Sequence, residues 1–165
     1  MLSSSRDVIA ALHDLIETCK DSDEGFRHAA QNMKSREVRA LFENYARQAD
    51  RFAAELETEV QRLGGNPEDH GIHGVFNGLT QPGWVTVTGK QTGEDEAATL
   101  TECECGVHAL EQSYAAALEK GLPERVRSLV ERQHAQVKKV SGRIHDLAGH
   151  HPFGVRPRPR ARGVA

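Results

Sequence analysis

Residues 35–65 have the sequence SREVRALFENYARQADRFAAELETEVQRLGG, which is typical of one long amphipathic helix. Its apolar side chains recur in steps of three and four residues, so a helix places them all on one face. Ser35 is a favoured residue for the start of a helix, and Gly64-Gly65 is a favoured end. The stretch therefore predicts a helix over residues 35–64 that buries one face. These apolar positions are Val38, Phe42, Tyr45, Ala49, Phe52, Leu56, Val60 and Leu63.

Three further stretches, residues 4–33, 93–120 and 123–148, have the same helical period. The turns within the first pair and within the last pair are very short, so each pair is expected to form an antiparallel hairpin. Residues 65–92 lack a long period and can connect one end of the molecule to the other. The chain is therefore predicted to be all-α over residues 1–150: a ferritin-like four-helix bundle of two antiparallel helical hairpins joined by a long crossover.

Charge is distributed unevenly along the sequence. The net charge is −3, yet residues 151–165 contain Arg156, Arg158, Arg160 and Arg162 and no acid. Without those four, 17 basic residues stand against 24 acidic ones, so the bundle itself is acidic and a nucleic-acid-binding face on it is not expected. The Pro- and Arg-rich tail is predicted to be disordered, and it either contacts an anionic partner or is inert.

The lengths of the apolar runs and the number of cysteines indicate where in the cell the protein is expected. No apolar run approaches the roughly 20 residues that a membrane span requires. Acidic residues interrupt the apolar part of the N-terminal stretch, which therefore resembles a first helix more than a signal peptide. Cys19, Cys103 and Cys105 are an odd set within predicted helices, which argues against a disulfide framework. We therefore expect a cytoplasmic protein, with Cys103 in the core and Cys105 more exposed.

Four segments carry a family resemblance that extends over most of residues 15–137. They are LIETCKDSDEGFRHAA, LFENYARQADRFAAELETEVQRLGGNPED, GWVTVTGKQTGEDEA and ECECGVHALEQSYAAALEKGLPERVRSLVERQHAQV. Together they resemble a bacterial family of ferritin-like four-helix-bundle proteins described as a domain of unknown function. The resemblance implies the bundle but no known reaction. The family pattern tends to place acidic residues after the glycine of the third helix, whereas here Gly106 is followed by Val107 and His108.

Several polar residues are predicted to lie at one height of the bundle, given the ~1.5 Å rise of a helix per residue. Di-iron bundles use a Glu from each of two helices and a Glu-x-x-His from each of the other two. Residues 131–134 form one Glu-x-x-His motif, but residues 35–64 contain no histidine, so the sequence lacks part of the di-iron ligand set. The candidate metal ligands are Glu24, Glu104, His108, Glu131 and His134, and oxygen and imidazole ligands suit iron, manganese or zinc.

We favour a metal-free interpretation of these residues over a metal site. Glu131 and His134 then face water, and Glu104 forms a salt bridge on the flank. Gln133, Ser22 and Asp23 then form a hydrogen-bonded layer that fixes the register of the helices. Histidines at the end of the fourth helix, among them His145, complement the negative helix terminus.

Two functions follow from these alternatives, and whether the protein is an enzyme is left open. The first is a ferritin-like metal-binding protein that acts in bacterial stress protection. The second is a non-catalytic structural or interaction module without metal, which dimerises through spare apolar faces or binds a protein partner. A homo-oligomer, a dimer, is expected.

Overall fold

Four helices form the part of the chain that the computed structural model describes, residues 3–69 and 96–150. They are α1 (Ser5–Gln31), α2 (Arg36–Arg62), α3 (Glu96–Leu118) and α4 (Glu124–His150), and the described ranges contain no strand. The prediction of an all-α four-helix bundle is confirmed. α1 packs most extensively on α2, and α3 packs on α4 and on α1. Among the described helices that pack together, α2 and α4 have the slightest contact.

Local sequence explains where the helices of the first hairpin begin and end. Ser4 caps α1, because its hydroxyl oxygen accepts a hydrogen bond from the backbone N–H of Asp7 at 3.2 Å. Ser35 caps α2 in the same way through Val38, at 3.4 Å. Gly64 follows α2 with φ +84°, a left-handed conformation that favours glycine.

A buried carboxylate closes the turn between α1 and α2. Glu96, at the start of α3, is only 4% exposed and accepts a hydrogen bond from the backbone N–H of Lys34. Met33 in the same turn is buried in the core. The contact fixes the N-terminal end of α3 against the first hairpin, and the periodicity of the sequence did not predict it.

The predicted helix bounds differ from the observed ones by a few residues. α1 ends at Gln31, two residues before the predicted end, where Asn32 takes the capping position. α4 begins after Pro123, whose carbonyl accepts from Arg127 N–H at 2.8 Å, and it extends two residues beyond the predicted end. Nearly all of the predicted crossover, residues 65–92, and the whole predicted tail, residues 151–165, lie outside the described residues.

The predicted apolar stripes form the core that joins the four helices. Cys103 is buried and Cys105 is exposed, as the sequence predicted, and Cys19 is buried as well. Within the described ranges, no helix combines the length and apolar character needed to cross a membrane.

Candidate functional site

The centre of the bundle contains a hydrogen-bonded layer that we call the central clasp, formed by Cys19, Tyr114, Gln133 and the carbonyl of Phe52. The Tyr114 hydroxyl donates to Gln133 Oε1 at 2.7 Å, and Gln133 Nε2 donates to the Phe52 carbonyl at 3.3 Å. Cys19 Sγ lies 3.3 Å from the same hydroxyl. Because the only hydroxyl proton of Tyr114 goes to Gln133, the Cys19 thiol is the donor in that contact. One residue from each of the four helices thus takes part.

Burial keeps the central clasp electrically neutral. Tyr114, Cys19 and Gln133 are each 0% exposed. Burial raises the pKa of Cys19 to about 12, although the hydrogen bond with Tyr114 opposes the shift. Burial also raises the pKa of Tyr114 well above its usual value. At neutral pH the thiol and the phenol are therefore protonated, and neither is an activated nucleophile or an anionic ligand.

His134 lies beside the central clasp rather than within it. Its ring stacks on Tyr114, with centroids 6.1 Å apart and planes 5° apart. Burial, followed by the charge of Lys138, lowers its pKa, and Glu111 opposes that shift. His134 is therefore neutral at pH 7. Its Nε2 atom is buried and has no hydrogen-bond partner within the described part of the chain.

Three of the five predicted ligands are exposed to solvent. Glu24 is exposed on α1, close enough to Asp21 to influence its titration. His108 is exposed on α3, where its Nε2 is 3.0 Å from Nε2 of Gln112. Glu131 is exposed on α4 and lies 3.8 Å from Arg127 in an ion pair within the same helix.

Glu104 is half-buried on α3 and forms a salt bridge with His145 of the neighbouring helix α4. Their Oε1 and Nδ1 atoms are 2.5 Å apart, and this hydrogen bond, together with the carboxylate charge, raises the pKa of the fully exposed His145. The predicted salt bridge on the flank is thus present. The sequence had assigned His145 only to the helix terminus.

The register layer has different members from those predicted with Gln133. Ser22 donates to the Thr18 carbonyl at 2.9 Å within its own helix, and Asp23 pairs with Arg27 at 2.6 Å. The prediction of Ser22 and Asp23 as members was wrong, because each side chain pairs with a residue one turn away on its own helix. Tyr114 and Cys19 were missed because both fit the apolar stripes. The signal was available, since a buried tyrosine hydroxyl needs a partner.

The donor set at the centre does not suit the dinuclear metal site of ferritin-like bundles. Such sites draw carboxylates and imidazoles inward from all four helices. Here a thiol, a phenol, an amide and a peptide carbonyl occupy the centre. Among the described residues, no three His, Cys, Asp or Glu side chains are grouped so as to hold a metal ion. The metal assignment of the five ligands therefore stays a prediction.

Comparison with known proteins identifies a family and a fold. The family model described as "Domain of unknown function (DUF2383)" matches residues 7–120. No match was found among curated proteins. A crystal structure of a two-domain protein from Anabaena variabilis, containing DJ-1/ThiJ/PfpI-like and ferritin-like domains, superposes with a TM-score of 0.72 at 16% identity. The match covers 89% of this chain but only 40% of that protein, so the likeness shows a ferritin-like fold and no more.

Proposed function

The chain belongs to the DUF2383 family, and we propose that its bundle is a non-catalytic structural and interaction module. The observation that carries this proposal is the central clasp, which fills the bundle core between the four helices with neutral groups, whereas dinuclear sites of ferritin-like bundles need carboxylates and imidazoles there. A hydrogen-bonded layer that joins four helices fixes their register and does not require a metal. The bundle then serves to present its surface to a partner.

The proposed partner is a protein, and the proposed resting state is a homodimer in a reducing cytoplasm. The free thiols of Cys19, Cys103 and Cys105 support the compartment. In the Anabaena variabilis protein a ferritin-like domain shares a chain with a DJ-1/ThiJ/PfpI-like domain. That arrangement supports a role for such a bundle beside another folded domain.

Metal binding in stress protection is the second candidate. The pairing of Glu104 with His145 favours it, because a carboxylate and an imidazole from two helices meet on one flank. His108 lies one turn from Glu104 on the same helix, which gives iron, manganese or zinc a third ligand if the His108 side chain turns toward the pair. Glu24, Glu131 and His134 are the remaining proposed ligands.

Elemental analysis by mass spectrometry separates the two candidates. The protein is purified without a tag or chelator, incubated with Fe(II), Mn(II) or Zn(II), and desalted. The module hypothesis expects no retained metal in the wild type or in Glu104→Gln. Near-stoichiometric metal that is lost in Glu104→Gln but kept in Glu119→Gln, an exposed carboxylate outside the candidate ligands, would instead establish a site on the α3–α4 flank. Light scattering on the same samples tests the dimer, and a monomer at all concentrations would contradict that part.

A further inference from the structure

An open cleft of about 510 Å³ lies on the outside of the first hairpin, between the end of α1 and the first half of α2. We call it the arginine cleft. Three of its lining residues are arginines and only one is acidic, although the chain as a whole is acidic. Its size falls within the range of ordinary small-molecule sites. The lining residues are Arg27, Ala30, Gln31, Arg39, Glu43 and Arg47.

Each guanidinium of the arginine cleft is held by one neighbour, and two of the three neighbours carry no charge. Arg27 forms an ion pair with Asp23 at 2.6 Å. Arg39 donates from Nη2 to the Met33 carbonyl at 2.9 Å, and Arg47 donates from Nη2 to the side-chain carbonyl of Asn44. These last two partners are uncharged, so among the described residues Arg39 and Arg47 form no ion pair.

These bonds leave most of the donors available to a ligand. A guanidinium has five N–H donors in a rigid fork that matches the geometry of carboxylate and phosphate oxygens. A single bond to Met33 or Asn44 reduces the motion of the side chain, and so lowers the entropy lost when a ligand is bound. The N-terminal turn of α2, which includes Arg39, adds a favourable helix dipole for negative charge.

A second cleft, of about 320 Å³ between α2 and α4, provides an internal contrast. It is also lined by two arginines, but each has a carboxylate partner from the other helix. Arg132 pairs with Glu55 at 2.8 Å, and Arg125 pairs with Glu59 at 3.1 Å. The arginines of this second cleft join two helices, whereas Arg39 and Arg47 of the arginine cleft retain unneutralised charge.

We propose that the arginine cleft binds a small anion that bears phosphate or carboxylate groups. Arg39 and Arg47 supply the unneutralised positive charge that binds the anion, and Gln31 lines the same cleft with an amide donor. The proposal goes beyond the structural role of the bundle and does not depend on the central clasp or on any metal.

Isothermal titration calorimetry with two probes tests the proposal and identifies the chemistry. Inorganic pyrophosphate represents phosphate ligands, and citrate represents carboxylate ligands, each titrated at low salt. We expect one site with a Kd on the order of 0.1–1 mM for at least one probe. Arg47→Gln should raise that Kd about tenfold, which corresponds to about 1.4 kcal/mol. Arg47→Lys should recover only part of the affinity because it keeps the charge and loses the fork.

Arg132→Gln is the matched control, since it removes an exposed arginine from the second cleft. Its Kd should equal that of the wild type, and circular dichroism checks that every variant keeps its helices. Binding of pyrophosphate alone assigns a phosphate ligand, binding of citrate alone assigns a carboxylate ligand, and either supports the proposal. No binding of either probe would overturn it, as would equal weakening by Arg132→Gln and Arg47→Gln, because that result indicates attraction without a site.

Discussion

Gln133 connects three helices, since it links Tyr114 of α3 to the Phe52 carbonyl of α2 from its own position on α4. Gln133→Leu keeps the volume but removes the acceptor of a fully buried hydroxyl. We expect it to lower the free energy of unfolding by about 1–3 kcal/mol, the usual cost of an unsatisfied buried polar group. Urea denaturation followed by circular dichroism measures the loss.

Two comparisons show whether the loss comes from the hydrogen bond. Gln112→Leu changes an exposed glutamine on α3 and should shift stability by less than about 0.5 kcal/mol. Adding Tyr114→Phe to Gln133→Leu removes both partners, so the double variant should lose clearly less than the sum of the two single losses. Strictly additive losses would mean that the two groups are not coupled.

Asp21 has an ionised form that is disfavoured in the folded protein. Burial, then the charges of Glu17 and Glu24, raise its pKa to about 6 from 3.8. The folded state therefore binds a proton more tightly than the unfolded state, and the resulting stability is present below pH 4 and lost as pH rises through 6. Because Asp21 is only half-buried, solvent screening reduces the effect to about 1 kcal/mol.

Asp21→Asn removes this penalty. The variant should be more stable than the wild type at pH 7.5, and the difference should shrink toward zero near pH 4. Urea denaturation across that range checks both ends. Asp50→Asn, an exposed carboxylate on α2, serves as the control and should show no such trend. A gain for Asp21→Asn that is constant with pH would refute the raised pKa as its cause.

Only one of the side chains in the central clasp could be predicted from the sequence as a polar member of the core. Gln133 was identifiable as a polar residue in an apolar stripe, because the stripe can be counted along one helix. Its partners were not, since Tyr114 and Cys19 fit their own stripes and the contact depends on the relative height of three helices. Counting residues along each helix gives the relative heights of side chains only to within about a turn, whereas a hydrogen bond requires its donor and acceptor to be placed to within a fraction of an ångström.

The helix boundaries follow from the conformational preferences of individual residues. Two glycines test this, because replacing each with alanine should change the stability of the protein in opposite directions. Gly64 follows α2 with φ +84°, and a Cβ there would meet no atom of the described residues within 4 Å. Gly142 lies within α4, where a Cβ would likewise meet no atom of the described part of the chain within that distance. Gly64→Ala should therefore destabilise by about 1 kcal/mol through backbone strain alone, and Gly142→Ala should stabilise by about 0.5–1 kcal/mol through helix propensity.

Thermal unfolding of the two variants beside the wild type measures these effects. The pair is informative because the added methyl group is the same and steric contact is absent at both sites. A destabilised Gly142→Ala would indicate that the exposed face of α4 is covered by something that an added methyl disturbs. A neutral Gly64→Ala would indicate that the α2 end relaxes out of the left-handed conformation.

The helix ends also show which features of the helices could be predicted from the sequence. Ser4, Ser35 and Gly64 have recognised capping chemistry, so three boundaries were predicted to within a few residues. Buried Glu96 has no such pattern, because its role depends on Lys34, which is distant in the sequence. Charged residues are expected at the surface, and only the assembled bundle shows that this one is inside.

The seams between the described helices are held by different forces, and the α2–α4 seam combines the least backbone contact with two ion pairs. Along the first hairpin and between α1 and α3 the contacts are mainly apolar. The α2–α4 seam has the slightest backbone contact and is bridged by Glu59–Arg125 and Glu55–Arg132. Hydrophobic seams are not weakened by sodium chloride, whereas exposed ion pairs are screened, with a Debye length of about 3 Å at 1 M.

The combined variant Arg125→Gln/Arg132→Gln should therefore reveal the contribution of this seam. At about 50 mM NaCl we expect a loss of about 1 kcal/mol, or a Tm lower by about 2–4 °C, because both arginines are exposed and the buried Glu59 carboxylate keeps Arg62 as a second partner at 3.8 Å. At about 1 M NaCl the wild type and the variant should unfold at nearly the same temperature. Differential scanning calorimetry at both salt concentrations makes the comparison, with Arg51→Gln, exposed on α2, as the control for lost charge. A loss that persists at high salt would mean that the arginine stems, not their charges, hold α2 against α4.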